Sequence, residues 1–228
     1  METDKFGIIS LANMVKIFFS LLVYLFWFVP CVLLCFIIFR VFNRTQIRGK
    51  ENIPKKGGML IMANHVSALD SFLIGPIFFP RMAFFPAKIE LFKNPLLSIM
   101  YKGWGAFPVL RGRYNVAVMK KIVELSQDNI VIIHPEGTRS RDGEIGQGSK
   151  GVGKIIYETN APVIPLCANG MEKFLPVHKR FPSFFKLIIV NIGKPMNFSH
   201  YKNLEPTKET YKMIVDELIE ELKKLKTR

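Results

Sequence analysis

The chain has 228 residues, 49% of them hydrophobic, which accommodates one sizeable α/β domain beside a membrane anchor but is short for two full domains. Residues 1–39 carry equal numbers of acidic and basic side chains, so the formal net charge of +14 belongs entirely to residues 40–228. This charge favours an anionic membrane surface or phosphorylated substrates, and because no nucleic-acid recognition motif accompanies it we expect no nucleic-acid partner.

The first predicted element is an apolar helix. The 23 residues between Lys16 and Arg40 carry no charge, and a helix of that length spans roughly 34 Å, enough to cross a bilayer core. Pro30 near the middle removes a backbone hydrogen bond, so the run forms either one kinked spanning helix or two shorter helices in one leaflet. We assign residues 1–44 to this membrane-anchoring segment and residues 45–228 to an α/β domain.

A cluster of basic side chains follows the apolar run directly. The positive-inside rule places such a cluster in the cytoplasm, and three cysteines without disulfide spacing are typical of a reducing compartment. The sequence therefore predicts a protein of the cell inner membrane or another membrane, with its α/β domain on the cytoplasmic side. The basic residues are Arg40, Arg44, Arg48, Lys50, Lys55 and Lys56.

From about residue 45 onward, short apolar runs alternate with helical patterns. This alternation predicts an α/β fold, a mostly parallel sheet flanked by helices. In such sheets the chemistry lies beyond the C-terminal ends of the strands. The predicted strands are residues 59–63, 82–86, 106–110, 130–133, 163–167 and 187–192, and the predicted helices are residues 68–78, 95–102, 114–126, 150–159 and 207–224.

A histidine and an aspartate follow the first of these strands. A turn leading into a helix can bring His65 and Asp70 together, and a carboxylate on one imidazole nitrogen fixes the tautomer and stabilises the imidazolium cation. The pair would then be a general base for an alcohol nucleophile. Ser67 and Asp70 also have the spacing of a capping box. On that alternative interpretation Asp70 only caps a helix and His65 is a hydrogen-bonded loop histidine.

Charged residues follow other predicted strands as well. Glu136, Gly137 and Arg139 come after strand 130–133, and a guanidinium can hold a phosphate bidentately; the alternative is a turn with a solvated arginine. Further cations end neighbouring strands or begin a helix, a position that can bind anions. These are Lys88, Arg111 and Lys150.

These blocks, in this order, resemble the motifs of the glycerolipid acyltransferase family, and within it the 1-acyl-sn-glycerol-3-phosphate (lysophosphatidic acid) acyltransferases. The third motif of that family is Phe-Pro-Glu-Gly-Thr-Arg-Ser, which this chain matches from Pro135 to Ser140 with His134 in place of Phe. The first motif, Asn-His-x4-Asp, is matched by Asn64, His65 and Asp70, the second by Gly105, Phe107 and Arg111, and the fourth by strand residues 163–166.

The resemblance implies a one-step acyl transfer. With Asp70 as its orienting partner, His65 deprotonates the sn-2 hydroxyl of lysophosphatidic acid, which attacks the thioester of acyl-CoA or acyl carrier protein and gives phosphatidic acid. The resemblance implies neither cofactor nor metal. Two alternatives stay open: the same chemistry on another lysophospholipid or glycerol-3-phosphate, and a non-catalytic membrane-binding protein. The implied substrate-binding residues are Lys88, Arg111, Glu136, Gly137, Arg139 and Lys150.

Overall fold

The computed structural model describes residues 11–110 and 115–227. It begins with one continuous N-terminal helix, residues 11–42, in which Pro30 follows the first π-helical turn without interrupting the helix. Within the described residues, Asn13–Phe42 is long and apolar enough to cross a membrane, with a mean hydropathy of 2.8. The segments are α1 (Leu11–Val23), a π-helical turn (Tyr24–Phe28), α2 (Val29–Phe36) and a second π-helical turn (Ile37–Phe42).

The C-terminal half of this N-terminal helix packs against the α/β domain. Phe28, Val32, Cys35 and Phe39 recur at intervals of three or four residues, which places them along one side of the helix. All four are buried and belong to the same hydrophobic cluster as the sheet. The predicted anchoring segment and the α/β domain therefore share one core.

A seven-stranded sheet forms the centre of the domain, in the order β1-β7-β6-β2-β5-β3-β4. Every neighbouring pair is parallel except β6 and β7. The predicted mostly parallel sheet is thereby confirmed. The strands are β1 (Gln46–Arg48), β2 (Met59–Ala63), β3 (Ala83–Lys88), β4 (Ala106–Val109), β5 (Ile130–Ile133), β6 (Val163–Asn169) and β7 (Ile189–Ile192).

Helices cover both faces of the sheet. Along β2, Ile61 points into a cluster shared with the N-terminal helix, whereas Leu60 and Met62 point into a second cluster on the opposite face. The helices are α3 (Asp70–Ile74, continued by a 3-10 turn Gly75–Phe78), α4 (Pro95–Gly103), α5 (Val116–Asp128), α6 (Lys150–Glu158), α7 (Met171–Phe174) and α8 (Lys208–Lys226). The first cluster includes α3 and the second α5, α6 and α8.

Candidate active site

A strand-to-helix turn brings His65 and Asp70 into contact. His65 follows β2 by two residues, and Asp70 is the first residue of α3. Nδ1 of His65 lies 2.8 Å from Oδ2 of Asp70. The same carboxylate oxygen accepts the backbone N–H groups of Val66 and Ser67, each at 2.9 Å. The turn therefore has the shape that the sequence predicts for a His/Asp pair.

The capping-box interpretation is half fulfilled. The bond from the Ser67 N–H to the Asp70 carboxylate is the backward half of such a box. The forward half is missing, because the residue that precedes α3 is Leu69 and no side chain caps this helix. Asp70 thus closes its own turn and, with the same oxygen, orients the imidazole.

Burial dominates the electrostatics of Asp70. This side chain is fully buried, and the loss of solvation raises the pKa of Asp70 to about 6, while the N–H groups of Ser67 and Val66 act in the opposite direction. Its second oxygen, Oδ1, is also buried and has no hydrogen-bond partner among the described residues. A carboxylate that ionises near pH 6 suits a base that works near neutrality.

The loop after β5 holds the backbone of His65 from both sides. Oε1 of Glu136 accepts the His65 N–H at 2.9 Å, and the N–H of Ser140 donates to the His65 carbonyl at 2.7 Å. Gly137, with φ +70°, lets the loop turn back so that its N–H reaches the carbonyl of His134 at 3.1 Å. Two motif residues, Glu136 and Ser140, therefore fix the backbone of His65.

Glu136 is occupied with backbone groups at both of its oxygens. Besides the His65 N–H, its Oε2 accepts the N–H of Gly146 at 3.2 Å. Burial raises the pKa of the Glu136 carboxyl, and these two N–H groups oppose the shift. The sequence suggests an acceptor contact for Glu136, whereas these bonds give it the geometry of a positioning residue.

His134, which replaces the phenylalanine of the third motif, stacks on His65. The ring centroids are 4.0 Å apart and the planes differ by 11°. Nδ1 of His134 lies 3.0 Å from the carbonyl oxygens of both Ala63 and Asn64. Since carbonyls only accept hydrogen bonds, Nδ1 carries the proton. Burial lowers the pKa of His134 to about 4, so the stacked ring is neutral at pH 7.

Asn64 has a role that sequence reasoning missed. Its Oδ1 accepts the Ala168 N–H at 2.8 Å, and its Nδ2 donates to the Ala168 carbonyl at 3.3 Å. This buried amide thereby ties the end of β2 to β6. The available signal was its place immediately before the histidine of the first motif.

A cavity of about 240 Å³ borders His65, and we call it the basic cavity after its two cations. Lys88, at the end of β3, and Arg139 both line it. The Lys88 ammonium also lies 3.5 Å from the carboxylate of Glu90 and is half exposed. Two cations in the cavity that borders His65 can bind a phosphate through charge-assisted hydrogen bonds. The rest of the lining is mainly apolar and aromatic, with Ser71 and His134 as polar members: Ala68, Phe72, Phe85, Pro86, Ala87, Leu91 and Tyr101.

A larger, mainly apolar cavity of about 520 Å³ also borders His65, and we call it the apolar cavity. Its wall comes from β4, α5 and α6, and His65 and His134 line this cavity as well as the basic one. A volume in this range is typical of ligand sites. The apolar lining residues include Val109, Leu110, Val118, Met119, Ile122, Val152 and Ile155.

Residues 44–169, which include all four motif blocks, match the family described as Acyltransferase. The chain belongs to the acyltransferase family. The resemblance seen in the sequence motifs is thereby confirmed.

Several proteins similar to this chain are named 1-acyl-sn-glycerol-3-phosphate acyltransferases. That of Bacillus subtilis is 28% identical over 80% of this chain and 88% of its own length. The protein of Borreliella burgdorferi is 30% identical, and the match covers 73% of this chain and 62% of the length of that relative. The chloroplastic protein of Brassica napus is 32% identical over 59% of this chain, and the match spans only 40% of the length of that relative.

A solved structure supports the same fold. The crystal structure of the 1-acyl-sn-glycerophosphate acyltransferase of Thermotoga maritima aligns with a TM-score of 0.57 and 26% sequence identity. The alignment covers 78% of this chain and 72% of that one. The mixed, mostly parallel sheet flanked by helices is therefore the acyltransferase fold.

The acyltransferase motifs do not all meet at His65. Lys88, Glu136, Gly137 and Arg139 line one or other of the two cavities. Among the described residues, Lys150 is exposed at the start of α6 and lines neither cavity, although Ser149 and Gly151 beside it do line the apolar one. Arg111 lies outside the described residues, directly after Leu110 of the apolar cavity.

Distance alone would allow three of these side chains to share a metal ion. Ligand atoms of His65, Asp70 and His134 lie within 4.8 Å of one another. The imidazole lone pairs lie in the ring planes, however, and the two planes are nearly parallel. Because each Nδ1 is already hydrogen-bonded, the three groups do not converge on one point in the way that a metal site requires.

Proposed function

We propose that this acyltransferase moves an acyl chain from acyl-CoA or acyl carrier protein to the sn-2 hydroxyl of 1-acyl-sn-glycerol-3-phosphate, giving phosphatidic acid. The observation that carries the proposal is the position of the His65/Asp70 pair, at the junction of a basic and an apolar cavity. A phosphate-bearing acceptor and an acyl-bearing donor both fit this arrangement. The names of the similar proteins support the same substrates.

In the proposed reaction His65 is the general base and Asp70 its orienting partner. Because Nδ1 is bonded to Asp70, Nε2 is the nitrogen that takes the proton of the acceptor hydroxyl. The oxygen attacks the thioester carbonyl, and the C–S bond breaks as the new ester forms. The imidazolium then returns the proton to the departing thiolate. Atoms and charges balance between donor and acceptor, so we expect no cofactor.

The two cavities divide the substrates in this proposal. Arg139 and Lys88 bind the phosphate of the acceptor through charge-assisted hydrogen bonds, which places its hydroxyl next to His65. The acyl chain of the donor lies in the apolar cavity, against Val118 and Met119. Glu136 and His134 hold the base in place rather than contacting the reacting atoms.

The membrane is the expected location of this reaction, because acceptor and product are both lipids. The N-terminal helix is long and apolar enough to hold the enzyme at a bilayer. The basic residues in its last turn and just after it, from Arg40 to Lys56, favour the cytoplasmic side of the cell inner membrane or of another membrane.

The test is release of free thiol when detergent-purified protein receives lysophosphatidic acid with acyl-CoA and, in parallel, with acyl carrier protein carrying the same chain. The proposal expects turnover with at least one donor and loss of turnover in His65→Ala. Lysophosphatidylcholine and glycerol-3-phosphate serve as competing acceptors. A higher kcat/KM on either of them contradicts the proposed acceptor, and no turnover on any combination supports a non-catalytic protein instead.

A further inference from the structure

A loop far along the chain from the anchor exposes several large apolar side chains. We call residues 179–187, between α7 and β7, the aromatic loop. Phe181 and Phe185 are 76% and 80% exposed, and Leu187 is 52% exposed. Phe185 has φ +61°, a conformation that bulky residues rarely adopt. The loop therefore holds the rings of Phe181 and Phe185 outward, whereas the ring of Phe184 packs against buried Phe174.

The aromatic loop is also basic. Lys179, Arg180 and Lys186 are all exposed, and the sequence contains no acidic residue from position 173 to position 204. Aromatic rings interleaved with cations are typical of segments that lie in the interface of an anionic bilayer, where the rings enter the headgroup region and the cations meet lipid phosphates.

The loop is fixed to the end of the N-terminal helix. The ring of Phe42 contacts those of Phe184 and Phe185, with centroids 5.9 Å and 6.1 Å apart. The side-chain oxygen of Asn43 accepts the backbone N–H of Lys186 at 3.0 Å. The loop is therefore packed against the end of the helix.

The exposed apolar side of the helix continues up to this loop. Leu33, Leu34, Ile37 and Val41 are exposed by 58%, 56%, 46% and 59%, although the opposite side of the same turns is buried in the domain. Contiguous apolar surface of this extent marks an interaction site rather than a surface left in water. It forms one band that runs along the helix and ends at the aromatic loop.

We propose that the aromatic loop is a second membrane contact, in which Phe181, Phe185 and Leu187 enter the interfacial region of an anionic phospholipid bilayer. Lys179, Arg180 and Lys186 then pair with lipid phosphates. A second copy of the chain is the competing occupant, but a two-fold contact would set these cations against their own equivalents. The proposal concerns attachment and does not depend on the acyl-transfer reaction.

Lipid-borne quenching tests this contact in the full chain. Phe185→Trp, and separately Phe181→Trp, are reconstituted into vesicles of phosphatidylglycerol and phosphatidylcholine that contain lipids brominated near the glycerol backbone. The matched control is Met213→Trp, which is 44% exposed on α8 and lies across the sheet from the helix. Trp27 and Trp104 are present in every variant, so the signal is the difference from wild type.

The expected result is at least twofold stronger quenching of the added tryptophan at 185 or 181 than at 213. Replacing Lys179, Arg180 and Lys186 by glutamine in the Phe185→Trp chain should lower that quenching in anionic vesicles to its level in pure phosphatidylcholine. Equal quenching at all three tryptophan positions would overturn the membrane contact. Quenching of equal strength in anionic and in pure phosphatidylcholine vesicles would overturn the role of the cations. A dimer that is stable in detergent and is lost in the double variant Phe181→Ser/Phe185→Ser would assign the loop to a contact with a second copy of the chain.

Discussion

The two cavities that meet at His65 differ in charge. One has a guanidinium and an ammonium, from Arg139 and Lys88, and the other is walled by aliphatic side chains such as Val118 and Ile155. An imidazole between them can reach a hydroxyl held by its phosphate and a carbonyl held by its acyl chain. In the proposed reaction one base can therefore act on two substrates, because each substrate has a cavity of its own beside His65.

The largest effect should come from removing the base shared by both cavities. We expect His65→Ala to lower kcat by roughly 10²–10⁴-fold, because proton transfer from the acceptor hydroxyl is lost. The loss should not depend on which acceptor or donor is supplied. His200→Ala is the matched control, since His200 is exposed and pairs with Glu217 at 3.4 Å. Equal activity of the two variants would remove His65 from the mechanism.

Arg139→Ala should affect binding in the basic cavity and leave binding in the apolar cavity unchanged. Loss of a charge-assisted bond to phosphate should raise the acceptor KM by roughly 10–100-fold and leave the donor KM unchanged. Lys88→Ala should have a smaller effect, because Lys88 is half exposed and already faces Glu90. Arg141→Ala, an exposed neighbour, is the control. An unchanged acceptor KM in Arg139→Ala contradicts the phosphate site.

Acid should inactivate the shared base before it unfolds the enzyme. Burial raises the pKa of Asp70 to about 6, and only ionised Asp70 stabilises the imidazolium. Activity should therefore be complete well above pH 6 and should fall as the pH drops through it, to about a tenth at pH 5. Measuring kcat/KM from pH 4.5 to 8, with circular dichroism at each point, checks this. A flat profile down to pH 5 contradicts the role of Asp70.

Met119→Trp should affect only the apolar cavity. The larger ring should fill part of the space lined by Met119 and Val118. The kcat/KM for donors with long acyl chains should therefore fall several-fold relative to that for donors with short chains. The acceptor KM should stay unchanged. Met213→Trp, on the exposed side of α8, controls for the addition of a tryptophan. A rise in the acceptor KM would show that the two cavities are not independent.

The smallest effect concerns His134, which lines both cavities. At pH 7, His134→Phe should melt a few °C lower, because the carbonyls of Ala63 and Asn64 lose their donor. Burial lowers the pKa of His134 to about 4, below its ordinary 6.5. Its stabilising contribution is therefore complete above pH 6.5 and declines as the pH falls towards 4. The gap in Tm between wild type and variant should narrow from pH 7 to pH 5; a constant gap contradicts this account.

The strand ends that carry the site were predictable from sequence, because β2 and β5 are short apolar runs and are bounded by turn residues. Residues 59–63 and 130–133 form strands as predicted. The edge strand β1 was missed, since its three residues alternate between exposed and half-buried and show no apolar run. The predicted helix 68–78 became a short α-helix and a 3-10 turn.

The hydrogen bonds that hold the site residues in place could not be predicted from the sequence. Sequence motifs identified Glu136 as functional, but its bond to the His65 N–H joins residues 71 positions apart and depends on the pairing of β2 with β5. The link between Asn64 and Ala168 depends in the same way on the pairing of β2 with β6. For Lys150, the sequence correctly predicted the position at the start of a helix. It could not predict the orientation of α6, which leaves this side chain exposed.

The most direct test of the central claim is a crossed kinetic measurement. Acceptor KM and long-chain donor KM are determined for wild type, Arg139→Ala and Met119→Trp under the same conditions. The account predicts that Arg139→Ala raises only the acceptor KM and Met119→Trp only the donor KM. If either variant raises both constants equally, or if the effects are exchanged, the two cavities at His65 do not hold separate substrates.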